Sequence, residues 1–290
     1  MGAPIFKGRA KTIYFEKLIQ KIVGKLEGWK GRFLSFSGKI TLIKAVLNSL
    51  PIHTMTSTAI NKGTIKIIDK LIRSFLWSQK GQKRLHWCNW QKVCMHKADG
   101  GLGIRSMADT IYGLQGKLAW SIIQKKTIWS KILNQKYITA GKITQRGTDS
   151  TMWKCLIPHI QRLLNCSKWL IGKGAINLWT ENWFGEVIDP ESVSTTTVRQ
   201  AKHMINSMDN QLSQEQIQYL KEIELDDTTE DQLIYTKTLN GVFSMKNYID
   251  EEKGENTHKP WAPIIWHHNI PSKQAAFLWK LINRAIPVDT

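Results

Sequence analysis

Three groups of residues have types and spacings that could do chemistry. His86-Trp87-Cys88 and Cys94-Met95-His96 bring two cysteines and two histidines within eleven residues, the ligand types of a zinc site. Their spacing argues against one. Each Cys/His pair is separated by one residue and the cysteines by five, whereas structural zinc pairs have roughly two to four residues between ligands. Asp226-Asp227 are the only adjacent aspartates, and two-metal polymerases hold magnesium between paired carboxylates on a rigid turn. Here the flanks are polar and rich in Thr and Glu, with no apolar strands to fix such a turn. No P-loop, nucleophile elbow or zinc-protease helix motif occurs elsewhere. The residue types therefore assign no catalytic residue, no metal ligand, no cofactor and no small-molecule substrate.

The third group is cationic. Lys17, Lys21 and Lys25 recur every four residues, and so do Lys62, Lys66 and Lys70, with Arg73 beyond them. Residues four apart share one face of a helix, so each set forms a stripe of charge. The connection Gly28-Trp29-Lys30-Gly31-Arg32-Phe33-Leu34-Ser35 interleaves cations with aromatics between glycines, a mixture that suits phosphate contact with stacking. The plainer reading of Trp29 is a plug for a helical core, but Lys30 and Arg32 must still face solvent or phosphate. With Lys39 just downstream, the candidate nucleic-acid-binding residues are Lys17, Lys21, Lys25, Lys30, Arg32, Lys39, Lys62, Lys66 and Lys70.

The balance of charge along the chain points the same way. The 290 residues carry a net +18, yet residues 1–150 hold 27 Lys+Arg against 6 Asp+Glu, a net of +21, and residues 151–290 hold 14 against 17, a net of −3. A half this basic calls for an anionic partner. A membrane is disfavoured: Phe6 breaks the myristoylation pattern after Gly2, Pro287-Val288-Asp289-Thr290 offers no prenylation cysteine, and neither a secretory signal nor a long apolar span is visible. Cys88, Cys94, Cys155 and Cys166 are too few for a disulfide scaffold and fit a reducing nuclear or cytoplasmic setting. The expected partner is nucleic acid, either an RNA–DNA hybrid or duplex DNA.

The elements that must position these cations are mostly helices. Phe15, Leu18, Ile19, Ile22 and Leu26 line one face of a helix over 13–27, and Ile68, Leu71, Ile72 and Phe75 line one over 62–77. Between them Ile40, Ile43, Leu47 and Leu50 mark a third helix, with Ser37 as N-cap and Pro51 as its end. Met107, Ile111, Leu114, Leu118 and Ile122 mark a long helix after the Gly100-Gly101-Leu102-Gly103 punctuation, with more helix around Trp129–Tyr137. Two hairpins are expected later, one over Trp169–Trp179 around Gly172 and Gly174, the other joining Leu233–Thr236 to Gly241–Phe243 through an Asn240-Gly241 turn. The fold class is mainly α with a smaller α+β part. Five regions follow: 1–77, a thumb-like basic helical bundle; 78–140, a helical connection; 141–185, a Trp-rich β-hairpin segment; 186–232, an acidic linker with one helix near Gln214–Lys221; and 233–290, a hairpin leading into a truncated domain.

Taken in order, several phrases resemble the region downstream of the palm in plant non-LTR (LINE-type) retrotransposon reverse transcriptases, whose members include ribonuclease H-like proteins. They are Gly2–Arg9, Gly28–Ser35 with Gly38–Leu47, Phe75-Leu76-Trp77, His86-Trp87, Trp90–Cys94 and Gly100–Arg105. Leu178–Trp183, Asp231–Tyr235 and Gly241–Lys246 continue the likeness, which covers nearly the whole chain. Trp261–Trp266, Pro271-Ser272-Lys273 and Phe277–Leu281 are similar to the start of the family's reverse-transcriptase zinc-binding domain. The resemblance implies that residues 1–77 correspond to the thumb, which holds the template–primer duplex. It also implies that the catalytic Asp pair of the RNA-directed DNA polymerase lies upstream of residue 1, and the zinc ligands beyond Thr290. Tyr235 stands where the family usually has Trp, and Cys88 and His96 stand where it more often has other residues.

The expectation is a non-catalytic fragment that grips nucleic-acid backbone without sequence specificity. Two alternatives stay open: part of a longer active polymerase and ribonuclease H polyprotein, or a silent transposon remnant.

Overall fold

The structure, a computed structural model, describes residues 3–6, 8–30, 34–78, 87–139, 142–189, 192–207, 211–254 and 258–286, except the side chains of Lys30 and Thr139. In chain order the helices are α1 (Glu16–Lys30), α2 (Phe36–Leu42), α3 (Ile52–Ser57), α4 (Lys62–Leu76), α5 (Trp90–Val93), α6 (Met107–Gln124), α7 (Ile128–Tyr137), α8 (Thr151–Asn165), α9 (Val198–His203), α10 (Gln214–Glu222), α11 (Met245–Lys253), α12 (Ala262–Ile265) and α13 (Ser272–Ile282). The strands are β1 (Ile138–Thr139), β2 (Lys142–Ile143), β3 (Ser167–Leu170) and β4 (Gln232–Tyr235). The protein is thus mainly α with a small α+β part. Residues 1–114 with 249–290 form one compact unit and residues 115–248 a second, the divisions falling inside α6 and α11.

In the first unit α1 packs on α4, and α4 on α2. Of the expected apolar faces, Phe15, Leu18, Ile22 and Leu26 from the first segment and Ile68, Ile72 and Phe75 from the second are buried, while Ile19 and Leu71 are half-buried. Asn61 caps α4 by accepting from the Thr64 N–H at 2.7 Å, and its amide donates to Ala10 O at 3.1 Å, tying the incoming chain to the helix start. The middle helix differs from expectation in three ways. Its cap is Ser35, whose Oγ accepts from the Gly38 N–H at 3.1 Å, because Ser37 already lies in the first turn. The helix widens into a π segment over Ile43–Leu47, which buries Ile43 and Leu47 together. Pro51 precedes α3 instead of ending the chain's helical course, since a missing N–H costs nothing at a helix start.

The second unit departs further. β3 pairs antiparallel with β4, Ser167 opposite Tyr235 and Leu170 opposite Gln232, so neither expected hairpin forms. The Trp169–Trp179 stretch turns away after Leu170. Gly172 and Gly174 make no reversal between its own strands but hold the turn against a carboxylate: Asp231 accepts N–H bonds from Gly172 at 2.8 Å, Gly174 at 2.9 Å and Ala175 at 2.6 Å. A Cβ on Gly172 would meet Thr229 O at 2.1 Å, and Gly174 has φ +70. The Asn240-Gly241 turn is present, with Gly241 at φ +67, but Gly241–Phe243 forms no strand.

The stretch 186–232 is not a bare linker. α9 and α10 bury Val198, Ala201, Ile217 and Leu220 in one cluster with Leu178, Trp179, Trp183 and Leu212. Each helix opens with a capping box, Thr197 with Gln200 and Ser213 with Gln216, which satisfies end N–H groups in an otherwise polar sequence. Trp183 is fully buried and donates its indole N–H to Leu178 O at 2.7 Å. Tyr235 is also fully buried, edge-on to Trp120 at 5.9 Å.

Because three N–H groups converge on one carboxylate, Asp231→Ala is expected to destabilise the protein by about 2–4 kcal/mol, and Asp231→Asn, which keeps one acceptor oxygen, by less. Urea midpoints of the three proteins check this; equal midpoints would show that the turn holds without the carboxylate.

Candidate nucleic-acid interface

Helix periodicity sorts α1 and α4 into a wet face and a dry one. Lys17, Lys21, Lys25, Lys62, Lys66 and Lys70 are all exposed, while Leu18, Ile22 and Ile68 between them are buried and Ile67 is exposed beside Lys66. Eight residues of helix rise about 12 Å, so each stripe spans the axial length of roughly three or four phosphates of one strand. Neither stripe is neutralised from within α4. Its one acid, Asp69, turns inward and accepts from the Met107 N–H at 3.2 Å, and burial pushes its carboxyl above the usual range. Glu16 and Glu27 are exposed on α1.

The remaining candidates fare differently. Arg32, the Lys30 side chain and Phe33 lie outside the described residues, as do Lys80, Lys83, Arg84 and His86. Trp29 is half-buried with its ring 5.7 Å from that of Phe75, the place of a core plug. Arg73 turns towards the chain and donates to Cys88 O at 3.4 Å. Lys39 is also drawn in: its Nζ donates to Ser78 O and, at 3.0 Å, to Ser78 Oγ, and sits 5.8 Å from the Phe75 ring centroid. Burial, then the charge of Lys280, lowers the Lys39 ammonium from its ordinary value.

A second lysine in the same segment was not singled out from sequence. Lys44 donates to Leu102 O at 2.6 Å in the glycine-rich loop, and burial followed by the neighbouring charge of Lys97 brings it down to about 8. The only signal was its position five residues after Lys39, which helical periodicity does not place on a stripe.

The other chemical candidates are occupied locally. Cys88 and Cys94 are buried, and desolvation raises both thiols. His96 Nδ1 accepts from the Ala98 N–H at 3.3 Å. No group of three His, Cys, Asp or Glu residues is placed to hold a metal ion among the described residues. Asp226 is held down to about 2 by the Thr228 and Thr229 hydroxyls and the Thr228 N–H, and Asp227 pairs with Arg199. His267 and His268 are exposed, their rings tilted at 38° with centroids 4.1 Å apart. No helix among the described residues is long and apolar enough to cross a membrane.

Comparison with known proteins gives two similar chains, both from Arabidopsis thaliana. One, named "Putative ribonuclease H protein", is 26% identical over 315 aligned residues that cover 99% of this chain and 51% of that protein. The other, named "Uncharacterized mitochondrial protein", is 27% identical over 142 residues, covering 47% of this chain and 92% of that protein. The chain therefore spans about half the length of the first relative. No family model and no solved structure matches it.

The lowered Lys44 gives stability a definite pH dependence. Between about 8 and its ordinary 10.5 Lys44 holds less of its proton in the folded state than in the unfolded one, so its contribution to stability rises as pH increases through that window. Below it both states are protonated and the cost of the buried charge is fully present. The urea midpoint of the wild type is expected to gain on that of Lys44→Met as pH rises from about 8 to about 10.5; a difference that stays constant with pH would assign the effect elsewhere.

Proposed function

We propose that residues 1–77 grip the backbone of a nucleic-acid duplex without reading its sequence, as a non-catalytic part of a LINE-type reverse transcriptase of plants. The observation that carries this reading is the pair of exposed lysine stripes on packed helices α1 and α4, with the one acid of α4 turned inward. Six ammonium groups held on rigid helices displace counterions from phosphates and make no demand on base identity. An RNA–DNA hybrid is the duplex that the resemblance to a thumb suggests, and the name of the first relative fits a nucleic-acid substrate in general.

In this reading the chain is not itself an enzyme. Its own residues hold and orient the duplex, and polymerising or hydrolytic chemistry would be supplied by a longer protein. The local engagement of Asp226 and Asp227 supports that division of labour.

The test is binding of the purified chain to a labelled RNA–DNA hybrid across a salt series. The variant has Lys17, Lys21, Lys25, Lys62, Lys66 and Lys70 all changed to Gln. Each lost phosphate contact removes about 0.9 from the slope of log K against log salt, so the slope is expected to flatten by up to about 5. Weak wild-type binding, or a slope unmoved in the variant, would sink the proposal.

A further inference from the structure

Helix α2 meets both α4 and α13 in the first unit, and what lies along that contact is unusual for a protein core edge. Its floor is aromatic. The Phe36 ring lies 5.4 Å from Trp77 and 6.4 Å from Trp279, nearly parallel to the latter at 20°. Trp279 is fully buried and anchored by its indole N–H on Gly100 O at 2.8 Å. One ammonium group stands on this floor, and a second lies at Ser78, next in sequence to Trp77, and 5.8 Å from the Phe75 ring. Lys280 Nζ is 4.1 Å from the Phe36 ring centroid, and Lys39 follows Phe36 by three residues on the same helical face.

Both lysines are half-buried, and burial lowers both ammonium groups from their ordinary value. Neither has a carboxylate partner among the described residues. Ion pairs elsewhere among the described residues include Lys125 with Glu181, Lys173 with Glu230 and Lys253 with Asp109. Two like charges partly withdrawn from water with no acid between them oppose folding. Their donors are not exhausted either. Lys39 gives two N–H groups to Ser78, leaving one, and Lys280 rests on a ring face without an acceptor among the described residues. A tetrahedral dianion or a phosphodiester would supply what this pair lacks: negative charge and several acceptor oxygens within reach of two cations.

We infer that Lys39 and Lys280 form a two-lysine clamp for one phosphodiester group of the nucleic-acid backbone, seated on the Phe36 ring between α2 and α13. The clamp rests on the nucleic-acid reading of α1 and α4 but is separate from their stripes, and it brings a residue of the 233–290 region into the interface. Its signature is a conflict between stability and binding. A lysine kept for packing stabilises the fold, whereas one kept for an absent anion destabilises it.

The experiment compares the full chain with Lys280→Met and Lys280→Arg, measuring melting temperature and affinity for a labelled RNA–DNA hybrid. Lys280→Met is expected to raise the melting temperature while weakening hybrid binding about fivefold to tenfold and reducing the salt slope by about 1. Lys280→Arg, which keeps the charge, is expected to bind the hybrid nearly as the wild type does. A lower melting temperature with unchanged affinity in Lys280→Met would make Lys280 a packing residue and overturn the clamp. Millimolar inorganic phosphate separates the two sources of the same chemistry. If phosphate raises the melting temperature of the wild type but not of Lys280→Met while hybrid affinity is equal in both, the site takes a free anion and the backbone assignment fails. The two proposals fail separately. Loss of binding in the six-lysine variant with wild-type affinity in Lys280→Met defeats the clamp alone, and an unmoved salt slope in the six-lysine variant defeats the grip of α1 and α4 whatever Lys280 does.

Discussion

Helices α1 and α4 can remove Leu18, Ile22, Leu26, Ile68, Ile72 and Phe75 from water only by packing, and the arrangement of charge in the first unit depends on that burial. Each fully buried Ile or Leu contributes about 1.5–3 kcal/mol, far more than a solvated lysine on the opposite face can add or subtract. The dry face is therefore selected by energy and the cationic face is what remains. The lysines become ordered in space because the helix backbone is rigid, although none of them needs a protein partner. That combination, rigid placement with an unsatisfied charge, is what a phosphate backbone can use.

The lysines of α2, the π segment that follows it and α13 illustrate the opposite regime. Lys39, Lys44 and Lys280 are partly withdrawn from water, and their ammonium groups are lowered by that burial. Backbone carbonyls and aromatic faces receive them: Ser78 O for Lys39, Leu102 O for Lys44 and the Phe36 ring for Lys280. Such contacts soften the cost of a buried cation without removing it. Within one unit the same residue type thus appears as a nearly neutral surface charge on α1 and α4 and as an energetically costly one beside α2.

In the second unit the organising contact is a carboxylate and not an apolar face. Asp231 gathers the N–H groups of Gly172, Gly174 and Ala175, and in doing so brings β4 to β3 across the intervening α9 and α10. Trp183 then sits fully buried within the cluster formed by those two helices and Leu178. The polar composition of 186–232 concealed this, because short helices closed by capping boxes need few apolar residues to be held.

Local periodicity was enough to read α1, α4, α6 and α7, the buried set along the first two and the outward direction of six lysines, since a residue's face follows from its position in a 3.6-residue repeat. The mainly helical class was legible for the same reason. Contacts between residues distant in the chain were not. Strand β3 had an apolar run beside it at 176–179, yet it pairs with 232–235, because Asp231 fixes the turn at 172–175 in a direction that a nearby hairpin cannot take. Ser35 displaced Ser37 as a cap through a two-residue shift in where helix begins, a distinction that side-chain type alone does not carry. Lys39 looked like one more surface cation, and Lys280 lay in an apolar phrase at the far end of the sequence. Only the packing of α2 against α4 and α13 withdrew both from water, Lys280 onto the Phe36 ring and Lys39 towards Ser78 and the Phe75 ring, so how much of its water a lysine keeps was decided by tertiary structure.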